Sequence, residues 1–313
     1  MNRPISLNGE LDGASVIVTG ASGFIGLNLV RVLAGLGAKV TVIDRIQPSE
    51  RLPNVRFEWG DLRHLDQVYE ADYLIHLAAI TNAGFAERYP IDTYEVNVLG
   101  TVNLMNHVKI NKRVLFPSTA LTYEASSTPI SEEAPTDLSS TYALSKNMGE
   151  QVIKFHCNRM GVGHTIVRFF NIYGPGQMPM YIVPQVLSQI KENHHIEIRN
   201  GSVMRDLLFV EDCINAVLKL AVTPAAEDNV FNIGSGHIVS ISDVAKAAIQ
   251  ASGQQGVEIT DLEEKIAYSP IAIMADIDKI QATIDWFPKT TLKDGLKKMW
   301  DAMEQSNWAG TTG

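Results

Sequence analysis

The amino-acid sequence predicts an α/β fold, with a doubly wound parallel sheet followed by a smaller C-terminal α/β unit. Short apolar runs alternate with amphipathic stretches from Val16 to Val167, which is typical of βα units with helices on both faces of a sheet. The alternation ends at the Gly-Pro-Gly of residues 174–176, and shorter elements separated by prolines follow. The 313 residues suffice for both units, with cores that need no disulfide bonds.

The first unit is predicted from runs of strand length that are rich in β-branched or aromatic residues. These runs are residues 15–19, 39–43, 55–59, 73–77, 113–118 and 164–168. Helical patterns follow at 27–36, 91–109 and 142–160. We therefore assign residues 1–173 to one unit.

The second unit is predicted for most of residues 174–313, and we expect it to face the substrate. Within it, a strand at 229–233 and a helix at 240–251 could return to the large sheet, so 229–252 is assigned to the first unit. The amphipathic stretch at 292–303 predicts a terminal core helix rather than a membrane or partner helix.

Composition argues against several classes of protein. The formal charge of −9 and the pI near 5.4 disfavour nucleic acid as a partner. Cys157 and Cys213 lie in no CxxC or Cys/His cluster, so we expect two small buried side chains, no disulfide and no metal site. Neither a signal-peptide pattern nor an apolar run of membrane-spanning length is evident, which predicts a cytoplasmic protein without a membrane partner.

The first predicted strand runs into a glycine-rich turn, TGASGFIG at residues 19–26, and a predicted helix follows it. Glycines let the backbone turn sharply and approach a pyrophosphate at the helix N-terminus, so this context is typical of a Rossmann-type dinucleotide site. Asp44 ends the second strand, where a carboxylate accepts from ribose hydroxyls and repels the extra phosphate of NADP. NAD is therefore the favoured cofactor, although Arg45 could hold a 2′-phosphate if Asp44 turned away.

Two further strand ends supply candidate cofactor contacts. Asp61 could accept from the adenine amino group, although taken alone it suits a turn or helix cap, and His76 taken alone suits the core. The small residues after His76 would let a dinucleotide lie over the edge of the sheet. The complete predicted cofactor set is Gly20, Gly23, Phe24, Ile25, Gly26, Asp44, Arg45, Asp61, Leu62, Leu77, Ala78, Ala79, Asn97, Tyr142 and Lys146.

Tyr142 and Lys146 stand one helical turn apart on one predicted helix face. A phenol is a poor base at neutral pH, but a nearby ammonium and a positive nicotinamide favour the phenolate. Thr119 follows the fifth strand, at the carboxyl edge where such sheets bind ligands, and can orient a reacting hydroxyl towards Tyr142. The spacing alone is common on solvated helices, so its catalytic interpretation depends on this context.

The sequence resembles the extended short-chain dehydrogenase/reductase family. The resemblance lies in residues 19–26, 76–79, 96–101 and 118–123 and in Tyr142 with Lys146. It continues at 168–177, Gly201, 205–212 and 232–236, which resemble the nucleotide-sugar epimerase and dehydratase branch. Together the motifs span about residues 15–296.

This resemblance implies roles for individual residues. Tyr142 would be the acid/base, Lys146 its tuner and ribose ligand, and Thr119 the hydroxyl partner, with Asn97 supporting Lys146 through the backbone. Arginine forks suit phosphate oxygens, and Arg205 matches a position that binds the sugar-nucleotide diphosphate in relatives. The predicted substrate set is Thr81, Thr119, Asn171, Gln177 and Arg205.

Relatives also pair two helices into a dimer interface, which implies a homodimer through 91–109 and 142–160. The apolar residues of these helices are equally consistent with packing on the sheet. They are Val102, Leu104, Met148 and Val152.

Two departures from the family pattern bear on the predicted reaction and on the predicted substrate. Dehydratases and decarboxylases carry acidic residues directly after the catalytic Ser/Thr, but this chain has Ala120 and Leu121, which favours epimerisation. Relatives carry a second diphosphate-binding arginine where this chain offers only Lys265, which lacks the bidentate fork.

The leading hypothesis is therefore an NAD-dependent epimerase of a nucleotide sugar, which oxidises the sugar transiently and returns the hydride. The missing arginine motivates an alternative, an NAD-dependent dehydrogenase or reductase of a free or differently activated polyol. A nucleotide-sugar dehydratase or decarboxylase ranks lower. A non-enzymatic redox sensor ranks lowest, because such relatives lose the Tyr/Lys pair.

Overall fold

The computed structural model describes residue 7 and residues 9–48, 50–262 and 273–305. Up to residue 173 its elements are β1 (Ser15–Thr19), α1 (Phe24–Gly35), β2 (Lys39–Asp44), β3 (Val55–Trp59), β4 (Tyr69–His76), α2 (Ala83–Arg88), α3 (Pro90–Tyr94), a π-helical segment (Glu95–Leu99), α4 (Gly100–Asn106), β5 (Val108–Thr119), α5 (Thr141–Met160), β6 (Gly163–Phe169) and β7 (Asn171–Tyr173). The later elements are α6 (Ile182–Asn193), β8 (His195–Arg199), β9 (Met204–Phe209), α7 (Val210–Val222), β10 (Asn229–Ile233), β11 (Ile238–Ser240), α8 (Ile241–Ser252), β12 (Glu258–Leu262), α9 (Asp278–Ile284) and α10 (Leu292–Gln305). Short 3₁₀ turns occur at Leu62–His64, Ala120–Thr122 and Pro224–Ala226.

A seven-stranded parallel sheet forms the centre of the fold, in the order β10-β6-β5-β4-β1-β2-β3. The chain leaves β1 in one direction through β2 and β3, and returns to build β4, β5 and β6 on the other side. The strand order therefore reverses between β1 and β4, and ligands bind beyond the carboxyl ends of strands at such a switch point. The predicted α/β fold class is confirmed, and the glycine-rich turn after β1 lies at this crevice.

The predicted helix at 91–109 is wrong in detail. It is divided into α3, the π-helical segment and α4, and it ends at Asn106. The next residues alternate buried Val108 and Ile110 with exposed Lys109, a strand pattern that pairs Val108 with Tyr69 of β4. Strand β5 is therefore 12 residues long and begins well before the predicted position.

A second core lies beyond the large sheet. Helices α6, α8 and α10 pack together there, with Val186, Val244 and Met299 among its buried residues. A three-stranded sheet, β11-β9-β7, and a parallel pair, β12-β8, accompany these helices. The α10 stretch is buried along one face, as expected for a terminal core helix.

The range 229–252 is divided between the two cores. Strand β10 pairs with β6 in the large sheet, whereas helix α8 packs on α10 and α6. This moves the helix from the first unit, where the sequence analysis put it, to the second, because its buried Val244 and Ala248 contact the second core. We therefore propose a first domain of residues 1–173 with β10, α7 and α9, because α7 and α9 contribute buried residues to the core of the large sheet, and a second domain formed by the rest of the described chain.

Two other sequence expectations bear on the surface and the cysteines. Within the described ranges, no helix is long and apolar enough to cross a membrane. Cys157 and Cys213 are both buried and unpaired.

Candidate active site

A cleft of about 1040 Å³ opens at the carboxyl ends of the central strands. Every residue of the predicted site lines it, with the single exception of Asn97. Side chains from both proposed domains contribute, because Gln177 and Arg205 line the same cleft as the glycine-rich turn. The structure thus brings together residues from positions 20 to 205 of the chain.

The glycine-rich turn has little room for side chains. Gly20 has a φ of +71°, and a Cβ there would lie 2.5 Å from the backbone nitrogen of Ala78. A Cβ on Gly26 would lie 2.6 Å from the Cα of Ala21. Helix α1 begins after Gly23 without a side-chain cap and without an acidic residue in its first turn, so its free N–H groups suit a pyrophosphate.

Asp44 closes the glycine-rich turn from the end of β2. Its Oδ2 accepts from the backbone N–H of Ser22 at 3.0 Å, and its Oδ1 accepts from that of Ile46 at 3.2 Å. The Ser22 hydroxyl also donates to the carbonyl oxygen of Ile46. The carboxylate is thus fixed at the edge of the cleft, beside the exposed Arg45.

Asp61 is engaged by a neighbour that the sequence analysis did not consider. Its carboxylate accepts from the backbone N–H of Arg63 at 3.0 Å and from the guanidinium at 2.6 Å. These bonds lower the pKa of Asp61 to about 2. Asp61 therefore caps the Leu62–His64 turn, and it also lines the cleft.

His76 is a core histidine beneath the cleft. Thr101 donates its hydroxyl proton to the carbonyl oxygen of Asn97 at 2.7 Å, so it accepts from His76 Nε2 at 2.9 Å. His76 Nδ1 must then accept from the hydroxyl of Thr19 at 2.7 Å. Burial lowers the pKa of His76 to about 3, which keeps the ring neutral.

Asn97 does not reach the cleft, which corrects its predicted position. Its Oδ1 accepts from the backbone N–H of Ile80 at 2.8 Å, and its Nδ2 donates to the carbonyl oxygen of Ile80 and to the hydroxyl of Ser145. Ser145 in turn donates to the carbonyl oxygen of Tyr142. Asn97 therefore joins the loop after β4 to helix α5, and its observed partner on that helix is Ser145 rather than Lys146.

The predicted catalytic residues lie together on β5 and α5. Ser140 caps α5 by accepting from the backbone N–H of Ala143 at 3.1 Å, which fixes the helix start beside the cleft. Burial raises the pKa of Tyr142 above its ordinary value, and a hydrogen bond with Thr119 opposes this change. Burial lowers the pKa of Lys146 to about 8. Tyr142 is therefore protonated at neutral pH in this structure, whereas Lys146 titrates closer to neutrality than a free lysine.

The substrate side of the cleft carries amides and one guanidinium. Asn171 Nδ2 donates to the carbonyl oxygen of Asp206 at 3.2 Å, and Gln177 Nε2 donates to that of Ile172 at 2.9 Å. Gln177 Oε1 is buried without a partner among the described residues. Arg205 donates to the carbonyl oxygen of Met204, and burial lowers the pKa of Arg205.

Asp206 anchors the strand that carries Arg205. Its two carboxylate oxygens accept from the hydroxyl and N–H of Ser235 and from the N–H groups of Gly236 and Ala275, at 2.6 to 3.2 Å. The predicted substitute for a second arginine, Lys265, lies outside the described residues.

Charged residues are unevenly distributed in the cleft. The acidic residues that line its described part are Asp44 and Asp61, both next to the glycine-rich turn. Ala120 and Leu121, which follow Thr119 in the sequence, both line the cleft, and Leu121 is 41% exposed. No carboxylate of the described lining therefore lies in the turn after Thr119.

Ser118 and Tyr181 are among the cleft residues that lie outside the predicted site. The hydroxyl of Ser118 is buried without a partner in the described part of the chain, and Tyr181 at the start of α6 raises the pKa of Tyr142 through its proximity. Ser118 stood inside a recognised motif beside Thr119, but a lone tyrosine gives no signal in a sequence.

The chain is similar to many known proteins. The model of the NAD dependent epimerase/dehydratase family matches residues 16–234. A putative UDP-glucose 4-epimerase of Methanocaldococcus jannaschii is 28% identical, over 93% of this chain and 99% of that protein. A GDP-6-deoxy-D-talose 4-dehydrogenase of Aggregatibacter actinomycetemcomitans is 30% identical, over 83% and 87%. The structure of MoeE5 in complex with UDP-glucose and NAD is 26% identical, with a TM-score of 0.83 over 94% of this chain and 99% of that one.

Proposed function

The chain belongs to the NAD-dependent epimerase/dehydratase family, and from this premise we propose that it is an NAD-dependent epimerase of a nucleotide-activated sugar. One observation carries the proposal. Tyr142, Lys146 and Thr119 meet in a single cleft with the dinucleotide-type glycine turn, and the apolar Ala120 and Leu121 directly follow Thr119. This arrangement suits alcohol oxidation and ketone reduction at one position.

The residues present fit NAD. Gly20, Gly23 and the uncapped start of α1 would hold the pyrophosphate, and the carboxylate of Asp44 would accept from the adenosine ribose. Lys146 would donate to the nicotinamide ribose. When bound, NAD supplies a hydride acceptor for the sugar alcohol and a hydride donor for the keto sugar.

Tyr142 is proposed as the acid/base of both half-reactions. It removes the proton of the sugar hydroxyl in the first half-reaction and returns a proton to the keto oxygen in the second. The ammonium of Lys146 favours the phenolate by its charge, and Thr119 holds the reacting oxygen towards the phenol. Rotation of the keto sugar between the two half-reactions would present the opposite face of its carbonyl carbon. Reduction from that face would invert the configuration of the carbon.

The apolar turn after Thr119 separates epimerisation from the dehydratase chemistry of the same family. Dehydration needs a group that removes a proton from a sugar carbon, and Ala120 and Leu121 cannot do so. The acids of the described lining lie at the other end of the cleft. Return of the hydride to the keto sugar is therefore favoured over dehydration.

Arg205 and Asn171 are proposed to bind the diphosphate of the substrate. The guanidinium forms a bidentate fork for phosphate oxygens, and Asp206 fixes its strand. Two of the relatives are named or solved with UDP-glucose, so UDP-hexoses are the first substrates to test.

Incubation of the purified protein with a panel of UDP-, GDP- and dTDP-hexoses tests the proposal. We expect a stereoisomer of one substrate, no accumulation of NADH, and NAD released from the denatured protein. Net NADH formation without a stereoisomer would contradict it.

A dehydrogenase is the second candidate, because the relative of 30% identity is named as a nucleotide-sugar dehydrogenase. NADH released in equal amount with an oxidised product would support this activity.

We further propose a homodimer formed through helices α3 to α5. Ile91, Leu99, Met148 and Phe155 expose large apolar side chains on these helices, whereas Leu104 is buried in the core. Such a surface suits a second copy of the chain. A cytoplasmic location is part of the same proposal, and the two unpaired cysteines are compatible with it.

A further inference from the structure

A charged stripe continues along α5 beyond the residues assigned to acid–base work. Glu150 follows Lys146 by four residues, as Lys146 follows Tyr142, so all three lie on one helix face. The exposed fraction falls from 7% at Tyr142 to 4% at Lys146 and 0% at Glu150. A fully buried carboxylate is expensive unless it is paired, and the reaction proposed above leaves it without a role.

Arg168 on β6 fixes this carboxylate. The guanidinium donates from Nε to Oε1 at 3.0 Å and from Nη2 to Oε2 at 2.9 Å, which is a bidentate ion pair. Its Cζ lies 4.7 Å from the ring centroid of Tyr123, whose hydroxyl donates to Asn232. Both oxygens of the buried Glu150 carboxylate are thus held by one guanidinium.

The ammonium of Lys146 lies against an aromatic ring. Its Nζ lies 4.2 Å from the ring centroid of Phe116. A Cβ on Gly149 would lie 2.6 Å from Cζ of the same ring, so α5 packs directly on β5 at this point. An ammonium that leaves water for such a position requires a nearby negative charge.

We propose that Glu150, held by Arg168, is a positioning residue that supplies this negative charge and keeps the Lys146 ammonium charged and in place beside Tyr142. The catalytic use of that charge rests on the proposed function, whereas the ion pair of Glu150 with Arg168 and the position of Lys146 one helical turn before Glu150 do not. Consistent with the geometry, burial lowers the pKa of Lys146 and the charge of Glu150 raises it.

The other groups around Lys146 do not supply this charge. Tyr142 on the same helix is neutral at rest because burial raises its pKa, and His76 on β4 is neutral because burial lowers its pKa. Arg168 on β6 is a cation, and Tyr181, which directly precedes α6, carries a phenol. Glu150 is therefore the anion that acts on Lys146 within the described part of the chain.

The test follows the titration of Lys146 directly, in the full-length protein as purified with its cofactor. The ¹³Cε resonance of labelled lysine is assigned by comparison with Lys146→Met and recorded against pH. Glu150→Gln leaves Arg168 unpaired and can reduce folding, so the double variant Glu150→Gln/Arg168→Gln removes both charges together. Glu132→Gln is the control, because Glu132 is a partly buried carboxylate that accepts from the backbone N–H of Asn232 and does not contact Lys146.

We expect the midpoint of Lys146 to fall by about one pH unit or more in Glu150→Gln and to stay unchanged in the control. The fall should be smaller in the double variant, because loss of the Arg168 cation opposes the loss of the Glu150 anion. The loss of kcat/KM at high pH should move to lower pH by the same amount. A wild-type midpoint in the double variant would overturn the inference, as would an equal shift in the Glu132 control. If no nucleotide sugar were turned over, the proposed function would fail while the resonance midpoints still decided this inference.

Discussion

Substitution of Gly20 by alanine tests the cofactor loop in a way that the structure quantifies. The residue has a φ of +71°, and a left-handed conformation costs an L-residue roughly 1–2 kcal/mol. The new Cβ would lie 2.5 Å from the nitrogen and 2.7 Å from the Cα of Ala78, which are backbone atoms that cannot rotate away. Overpacking of this kind costs about 1–3 kcal/mol, so the free energy of unfolding should fall by about 2–5 kcal/mol.

Calorimetry and NAD binding together measure this effect. At about 2 °C per kcal/mol for a chain of this size, Gly20→Ala should unfold roughly 4–10 °C below the wild type. Displacement of the turn removes at least one charged hydrogen bond to the pyrophosphate, worth about 1.5–3 kcal/mol, so NAD affinity should fall by more than about tenfold.

Gly35→Ala is the matched control for this substitution. Gly35 ends α1 with nothing within 4 Å of a new Cβ, so we expect stability within about 1 kcal/mol of the wild type and full NAD affinity. Wild-type stability and NAD affinity in Gly20→Ala would refute the role assigned to the close approach of the two backbone segments.

The remaining predictions concern chemistry, cofactor choice and assembly. Tyr142→Phe should lower kcat by about 10²- to 10⁴-fold while the NAD content of the protein stays the same, and retained turnover would exclude Tyr142 as the acid/base. The pKa of Lys146 is lowered to about 8 and its ammonium is the charged form below that pH, so kcat/KM should fall as pH rises through about 8; a profile that stays flat into the alkaline range would contradict this. Asp44→Asn should reduce the preference for NAD over NADP by roughly tenfold or more in equilibrium binding, because the repulsion of a 2′-phosphate is lost. Phe155→Glu should convert a dimer into a monomer in light scattering, since it places a charge on the exposed apolar face, and a wild-type protein of monomeric mass would reject the dimer itself.

The fold was largely predictable because its signals are local. Each predicted strand overlaps an observed one, because buried parallel strands have short, nearly continuous apolar sequences. The helix at 91–109 failed for a physical reason. A π-helical segment at Glu95–Leu99 changes the angular spacing of side chains, and the strand that follows at Val108 continues the apolar pattern without a break. Neither feature is visible in a count of hydrophobic positions.

The candidate site was predictable for side chains that line the cleft. It was less predictable for side chains that form hydrogen bonds or ion pairs with other residues of the chain. Motif positions such as Tyr142 and Arg205 line the cleft, because strand ends and one helix face converge there. The side-chain amide of Asn97 instead forms hydrogen bonds with Ile80 and Ser145. These residues are far from Asn97 in the sequence, so a local pattern does not reveal the contacts. The pair of Glu150 and Arg168 had a usable signal: an arginine within an apolar strand requires a buried partner.

The return of β10 to the edge of the large sheet has a consequence for biosynthesis. A ribosome delivers β6 well before β10, and the intervening segment builds much of the second core. Until residue 233 has emerged, the edge of β6 presents unpaired backbone N–H and C=O groups, and Phe231 and Ile233 are missing from the core that they complete. A chain truncated after residue 173 would therefore leave this edge unpaired. We expect such a chain to aggregate or to bind chaperones in a cell rather than to fold as an independent cofactor-binding fragment.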